Sequence, residues 1–162
     1  IKAALILKKT SNVKFVILGD GSEKNYLLNQ IRELKLEDTI YYLGSFPMEE
    51  MVNFYCHANM MLLSLRDELI YSNTVPGKLQ GYLASKKPVA AMINGEASEI
   101  IKTSECGFVV NAEDYKAFAS ELLSISKTPV SIEEAKYKGF TYYNKTFKKD
   151  TVIDSFLESI GT

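Results

Sequence analysis

The stretch Lys14-Phe15-Val16-Ile17-Leu18-Gly19-Asp20-Gly21 decides the fold. It is a short apolar run stopped by a glycine turn, and behind it Leu27, Ile31 and Leu34 recur at helical spacing, with Ser22 placed as an N-cap. The same alternation repeats outward along the chain. Thr39 to Leu43 is β-branched and aromatic and closes on Gly44; Pro47 then suits a first helical turn, with Met48, Met51, Val52 and Tyr55 as one stripe. Asn59 to Ser64 is a third strand, followed by a polar stretch from Arg66 to Thr74. Pro76 opens a helix with Leu79, Tyr82 and Leu83 inside. Pro88 to Met92, a turn at Asn94-Gly95, a helix from Glu96 to Ser104 and a strand over Gly107 to Val110 come next. Phe118, Leu122 and Ile125 mark another helix. Ser131-Ile132-Glu133-Glu134 reads as a capping box opening a last helical stretch that bends near Asn144 to Lys149. Near-continuously apolar strands separated by helices imply an α/β, Rossmann-like parallel sheet with helices on both faces.

Composition narrows what such a domain can do. A chain of 162 residues is one domain, and 19 basic against 20 acidic side chains leave a net charge of -1, too little to draw in nucleic acid or an acidic membrane. Cys56, Cys106 and His57 are the whole soft-ligand inventory, so neither a disulfide framework nor a metal site through Cys or His is expected. Both cysteines read as small buried apolar residues, and His57 as a polar cap at a helix end. No apolar run approaches the roughly 20 residues that span a bilayer. Ile1 to Leu7 reads as the middle of an amphipathic helix, and the expectation is a fragment of a longer protein cut at its upstream end.

Ligands of open parallel sheets bind at the C-terminal ends of strands, so the loops after Leu18, Leu43, Leu63 and Met92 hold the candidates. Gly19, Asp20 and Gly21 let a phosphate approach N–H groups at a helix start; the alternative is a tight turn and nothing more. Lys24 stands where the third glycine of a nicotinamide fingerprint would be, and no P-loop lysine occurs. Ser72, Asn73, Thr74, Gly77 and Lys78 place hydroxyls, an amide, a glycine and a point charge at a helix start, a set suited to a diphosphate or simply to a solvated loop. Phe46 and Pro47 form either a wall against a nucleobase or a helix-entry staple. Asp67-Glu68 and Glu96 with Glu99 are the acidic groupings near loop ends, and read most simply as solvated faces. No nucleophilic triad can be nominated.

The run Val75-Pro76-Gly77-Lys78-Leu79-Gln80-Gly81-Tyr82-Leu83-Ala84-Ser85-Lys86-Lys87-Pro88-Val89, with Asn94-Gly95-Glu96 and Cys106-Gly107-Phe108-Val109-Val110 after it, resembles the C-terminal half of group 1 glycosyltransferases (family four, GT-B fold). Lys14 to Gly21, Tyr42 to Tyr55 and Ala58-Asn59 resemble the same family in the same order. The Thr-Val-Pro-small-Lys stretch over residues 74–78 is similar to a subgroup that builds surface polysaccharides and lipid-linked oligosaccharides. The resemblance implies one half of a GT-B fold: residues 1–145 as an upstream-truncated nucleotide-sugar-binding domain and 146–162 as its C-terminal helix. It implies transfer, with retention, from a nucleotide-sugar (a UDP-sugar foremost) to a saccharide or lipid-linked acceptor held by a missing N-terminal domain. No metal or other cofactor is implied. The expected location is the cytoplasm or the inner face of the cytoplasmic membrane.

By the same resemblance, Gly19, Asp20 and Gly21 lie near the nucleotide, Phe46 and Pro47 near its base, and Ser72, Asn73, Thr74, Gly77 and Lys78 near the diphosphate. Lys78, backbone N–H groups and Arg66 then stabilise the departing charge. Two departures stand out. Asn73 and Gly81 occupy the places of two family glutamates, and Lys86 replaces a glycine two residues before Pro88. The family domain also begins with a central strand ahead of the first helix. Without it, residues 14–18 and 59–64 either pair directly or leave a slot that invites homodimers or strand exchange. A sugar-nucleotide epimerase of the same architecture and a non-catalytic interaction domain are the alternatives, and the isolated fragment is expected to transfer nothing.

Overall fold

The computed structural model describes residues 1–161, the side chains of 129–131 excepted. Five strands, β1 (Phe15–Leu18), β2 (Ile40–Gly44), β3 (Met61–Ser64), β4 (Val89–Met92) and β5 (Gly107–Val110), follow the order read from the sequence, with boundaries moved by at most two residues. Helices α1 (Lys2–Leu7), α2 (Lys24–Glu33), α3 (Met51–His57), α4 (Leu69–Ser72), α5 (Gly77–Ala84), α6 (Glu96–Ser104) and α7 (Tyr115–Ile125) alternate with them. Two more, α8 (Pro129–Thr146) and α9 (Lys149–Ser159), close the chain.

Every paired strand runs parallel to its neighbour, as apolar β–α alternation dictates. The sheet, however, is in two pieces: β1 pairs with β2, and β3, β4 and β5 form a second sheet in that order. The second sheet is covered on both faces. Met61, Leu63, Val89 and Ala91 turn toward α5 and α6, packing on Leu79, Leu83, Ala97 and Ile101. Ala90, one residue out of phase, turns the other way onto Ala3 and Leu7 of α1 and Phe118, Ala119 and Leu122 of α7. This alternation within Val89-Ala90-Ala91 is why a central strand reads as unbroken apolar sequence.

Helix α1 ties the two sheets together. Ala3 and Leu7 belong to the core of the larger sheet, while Ala4 packs with Ile31, Leu36 and Ile40 over the smaller one. Phe15 touches both cores. The two sheets therefore lie side by side under one helix, with no backbone bond between β1 and β3.

Several local readings need correction. Helix α2 begins at Lys24 after a turn in which Lys24 N–H donates to the Gly21 carbonyl, so Ser22 is a turn residue and Glu23 takes the cap position without a side-chain cap bond. Met48 and Val52 are exposed rather than part of a core stripe, because a 3-10 turn over Met48–Glu50 precedes α3 and resets the helical phase. The stretch after Arg66 contains α4, with Leu69 and Ile70 exposed. Cys56 is exposed; Cys106 alone is buried, and burial pushes its thiol pKa up. Helix α8 starts at Pro129, ahead of the capping box read at Ser131, whose side chain lies outside the described ones.

Candidate functional site

The strand ends gather the candidate residues into two groups. On the smaller sheet, β1 ends in a turn whose Gly19 has φ of 129°, a conformation open to glycine and costly for other residues. Its N–H donates to the Gly44 carbonyl at 2.8 Å and its carbonyl accepts the Tyr42 hydroxyl at 2.6 Å. Gly19 thus fastens the turn to β2 and has no N–H left for a ligand. Asp20 pairs with Lys24 at 3.3 Å, and the same ammonium stands 5.8 Å from the Tyr42 ring centre. No chain atom lies within 4 Å of where a Cβ on Gly21 would sit, so that face of the turn is open. Past β2, Phe46 stacks at a tilt on Phe54, ring centres 4.6 Å apart, and Pro47 caps the 3-10 turn. Phe46 remains on the surface, as a wall or a staple requires.

On the larger sheet, the segment between β3 and α5 bends back over the strand ends. The hydroxyl of Thr74 donates to the carbonyls of Ile70 and Tyr71, and that of Ser72 to Glu68, so both serve the end of α4. Asn73 is the C-cap of that helix and is exposed. Pro76, with φ of -62°, leads into α5, whose first two residues are Gly77 and Lys78. Among the described residues no acceptor meets the N–H of Gly77 or of Lys78, and no carboxylate pairs with the Lys78 ammonium or the Arg66 guanidinium. A Cβ on Gly77 or on Gly81 would meet nothing within 4 Å. The first turn of α5 is therefore an exposed set of free donors beside an unpaired cation, the elements of an anion site.

The sequence reading missed the residue that joins these loops. Asn94, which by sequence is only a turn residue, donates from Nδ2 to Asp67 Oδ1 at 2.8 Å and accepts the Ala112 N–H on Oδ1 at 3.1 Å. Its neighbour Gly95, at φ of 80°, lies so close to Ser72 that a Cβ would come 2.0 Å from the Ser72 carbonyl oxygen. The loops after β3, β4 and β5 are thereby in one cluster. Partners 27 and 18 residues apart leave no local pattern; the Asn-Gly pair after an apolar strand was the available signal.

No hydrogen bond or ion pair among the described residues links the Gly19–Gly21 turn or Phe46 to the Arg66–Lys78 segment. A hollow of 260 Å³ beside the end of β5 is lined by Ile93, Ser98, Lys102 and Asp114. One of 330 Å³ lies at the opposite strand ends against Pro88, Gly107 and Lys138. Neither is lined by Lys78.

A profile of the family described as glycosyl transferases group 1 matches residues 1–146. The chain belongs to this family of glycosyltransferases. A relative, the poly(ribitol-phosphate) alpha-N-acetylglucosaminyltransferase of Staphylococcus aureus (strain COL), is 22% identical over 161 residues, covering 96% of this chain and 30% of its own length. This glycosyltransferase chain thus spans under a third of the curated relative it matches. Among solved structures, it is similar to Anabaena HepE in complex with UDP-glucose at a TM-score of 0.79 and 15% identity, over 98% of this chain and 43% of that one. It is also similar to the C-terminal domain of the LpcC glycosyltransferase of Francisella tularensis, at a TM-score of 0.75 and 18% identity, over 91% and 77% of the two chains. The fold is the C-terminal half of a GT-B glycosyltransferase. No helix among the described residues is long and apolar enough to cross a membrane.

Proposed function

We propose that this chain is the donor-binding half of a retaining glycosyltransferase. It takes a UDP-sugar and, with an acceptor held by another part of the protein, extends a saccharide or lipid-linked acceptor of a surface polysaccharide at the cytoplasmic side of the membrane. The observation that carries the reading is the first turn of α5, where the free N–H groups of Gly77 and Lys78 adjoin an ammonium without a carboxylate partner. A pyrophosphate gains charge as its bond to the anomeric carbon breaks and it departs with the electron pair. Fixed N–H dipoles and Lys78 stabilise that state more than the sugar-bound diphosphate, which carries one negative charge fewer, and Arg66 adds a second cation from the loop after β3. The relatives support the donor class, one being solved with UDP-glucose and the curated one being named for N-acetylglucosaminyl transfer.

Ser72 and Thr74 contribute through the shape of the α4–α5 connection, since their hydroxyls are engaged on the carbonyls of Glu68, the N-cap of α4, and of Ile70 within it. The Gly19–Gly21 turn offers its open face at Gly21 to the nucleotide, and Phe46 with Pro47 offers an edge to the base. Gly81 leaves open space where the family resemblance places a glutamate, so the ribose is held without that carboxylate.

A thermal-shift screen against UDP-, GDP-, ADP- and dTDP-sugars tests the reading, with UDP-sugars expected to raise the melting temperature. Lys78→Ala removes a charge-assisted contact and is expected to weaken UDP binding about tenfold to a hundredfold by calorimetry. An unchanged Kd in Lys78→Ala, or no response to any nucleotide, defeats it. Appearance of an epimerised sugar nucleotide without acceptor would replace transfer by epimerisation.

A further inference from the structure

We propose that Asn94 is a positioning residue for donor binding: its amide holds the loops after β3 and β5 in register, so that Arg66 and the Ser72–Lys78 segment face the diphosphate together. This rests on the donor-site reading above. Asn94 uses one donor and one acceptor, toward different loops, and each has a single partner. The Asp67 bond fixes the residue next to Arg66. The Ala112 bond anchors the turn to the end of β5, and Gly95 then presses against the backbone of Ser72, which leads into α5. Because residue 95 packs so tightly on Ser72 that a Cβ cannot fit, a shift of the Asn94 turn toward Ser72 must displace it, and a shift away removes the support of its backbone. Position 94 therefore transmits its geometry to both sides of the anion site without touching the ligand.

The polarity of the bond supplies the test. Asn94→Asp sets a carboxylate against Asp67 and leaves no donor, so the loop is pushed away and UDP affinity is expected to fall about tenfold. Adding Asp67→Asn restores the pair with donor and acceptor exchanged, while the carboxylate at position 94 still accepts the Ala112 N–H. The double variant is expected to recover UDP affinity to within about threefold of the unsubstituted protein. A residue that merely stabilises the fold would change the melting temperature and leave the Kd for UDP in place, so both are measured. Asn94→Asp with unaltered UDP affinity, or a double variant no better than the single one, overturns the positioning role alone. Failure of the unsubstituted protein to bind UDP overturns the donor reading and this role with it.

Discussion

Lys86 shows how one backbone angle accounts for a departure from the family pattern. It lies between α5 and β4 at φ of 53°, in the left-handed region where a side chain costs about 1–2 kcal/mol relative to glycine. The resemblance places a glycine there, and the structure gives the reason. What lysine contributes in return is its ammonium, 4.4 Å from the Phe140 ring centre on α8, a contact worth about 0.5–1 kcal/mol at a surface. Lys86→Gly sheds the strain and the contact together, so its stability should stay within about 1 kcal/mol of the parent. Lys86→Ala keeps the strain and loses the contact, and should be the least stable of the three by urea denaturation. An alanine variant at least as stable as the glycine one would show that the angle is not costly here.

Helix α6 carries the pH dependence that the geometry assigns most directly. A hydrogen bond from Lys102 at 2.8 Å, and then its charge, hold the Glu99 carboxyl below its ordinary value of 4.5, at the N-terminal end of the helix where the dipole favours an anion. A folded-state pKa below the unfolded one adds stability above about pH 4.5, and the gain is lost as pH falls through the folded value. Both side chains are exposed, so the effect is small and screened by salt. The expected result is that Glu99→Gln lowers the melting temperature at pH 7 in dilute buffer, with the gap narrowing progressively as pH falls below about 4.5 and in about 1 M salt. A gap that stays constant as pH falls through and well below 4.5 would assign the stabilisation to something other than the charge.

The limits of α6, Glu96 to Ser104, and of β5, Gly107 to Val110, were readable in the chain because glycine turns flank short apolar segments. Helix α4 was not, since Leu69-Ile70-Tyr71 is a single turn with its apolar side chains in water. The candidate site divided the same way. Gly77 and Lys78 are adjacent at a helix start and announce themselves locally. The Asn94 link to Asp67 and Ala112 is made of long-range contacts, and the engagement of Ser72 and Thr74 by α4 could not be read before α4 was known.

At the scale of the chain as a whole, two sheets lie side by side with no backbone bond between them among the described residues. The register places Phe15 and Ile17 in bonds to β2, and Met61 and Leu63 in bonds to β4, so the intervening residues direct their N–H groups away from those partners. With Phe15 and Gly19 donating to Thr39 and Gly44, and Met61 and Leu65 to Pro88 and Met92, the N–H groups of Val16, Leu18, Leu62 and Ser64 face the gap between the two sheets. Val16 is 57% exposed and Leu62 43%, high values for apolar residues in mid-strand. Two open edges under one helix are a template for strand pairing, and they also separate the Gly19–Gly21 turn from the Arg66–Lys78 segment. In dilute solution those four amides should exchange with deuterium orders of magnitude faster than Val89 and Ile93, whose N–H groups bond to Cys106 and Val110 across β5. At higher concentration the chain should self-associate in sedimentation velocity, and Leu62→Lys, which puts a charge on the open edge, should reduce that association. Slow exchange at Val16 and Leu62 in a monomer would mean that β1 and β3 close on each other in solution, bringing the Gly19–Gly21 turn and the Arg66–Lys78 segment together.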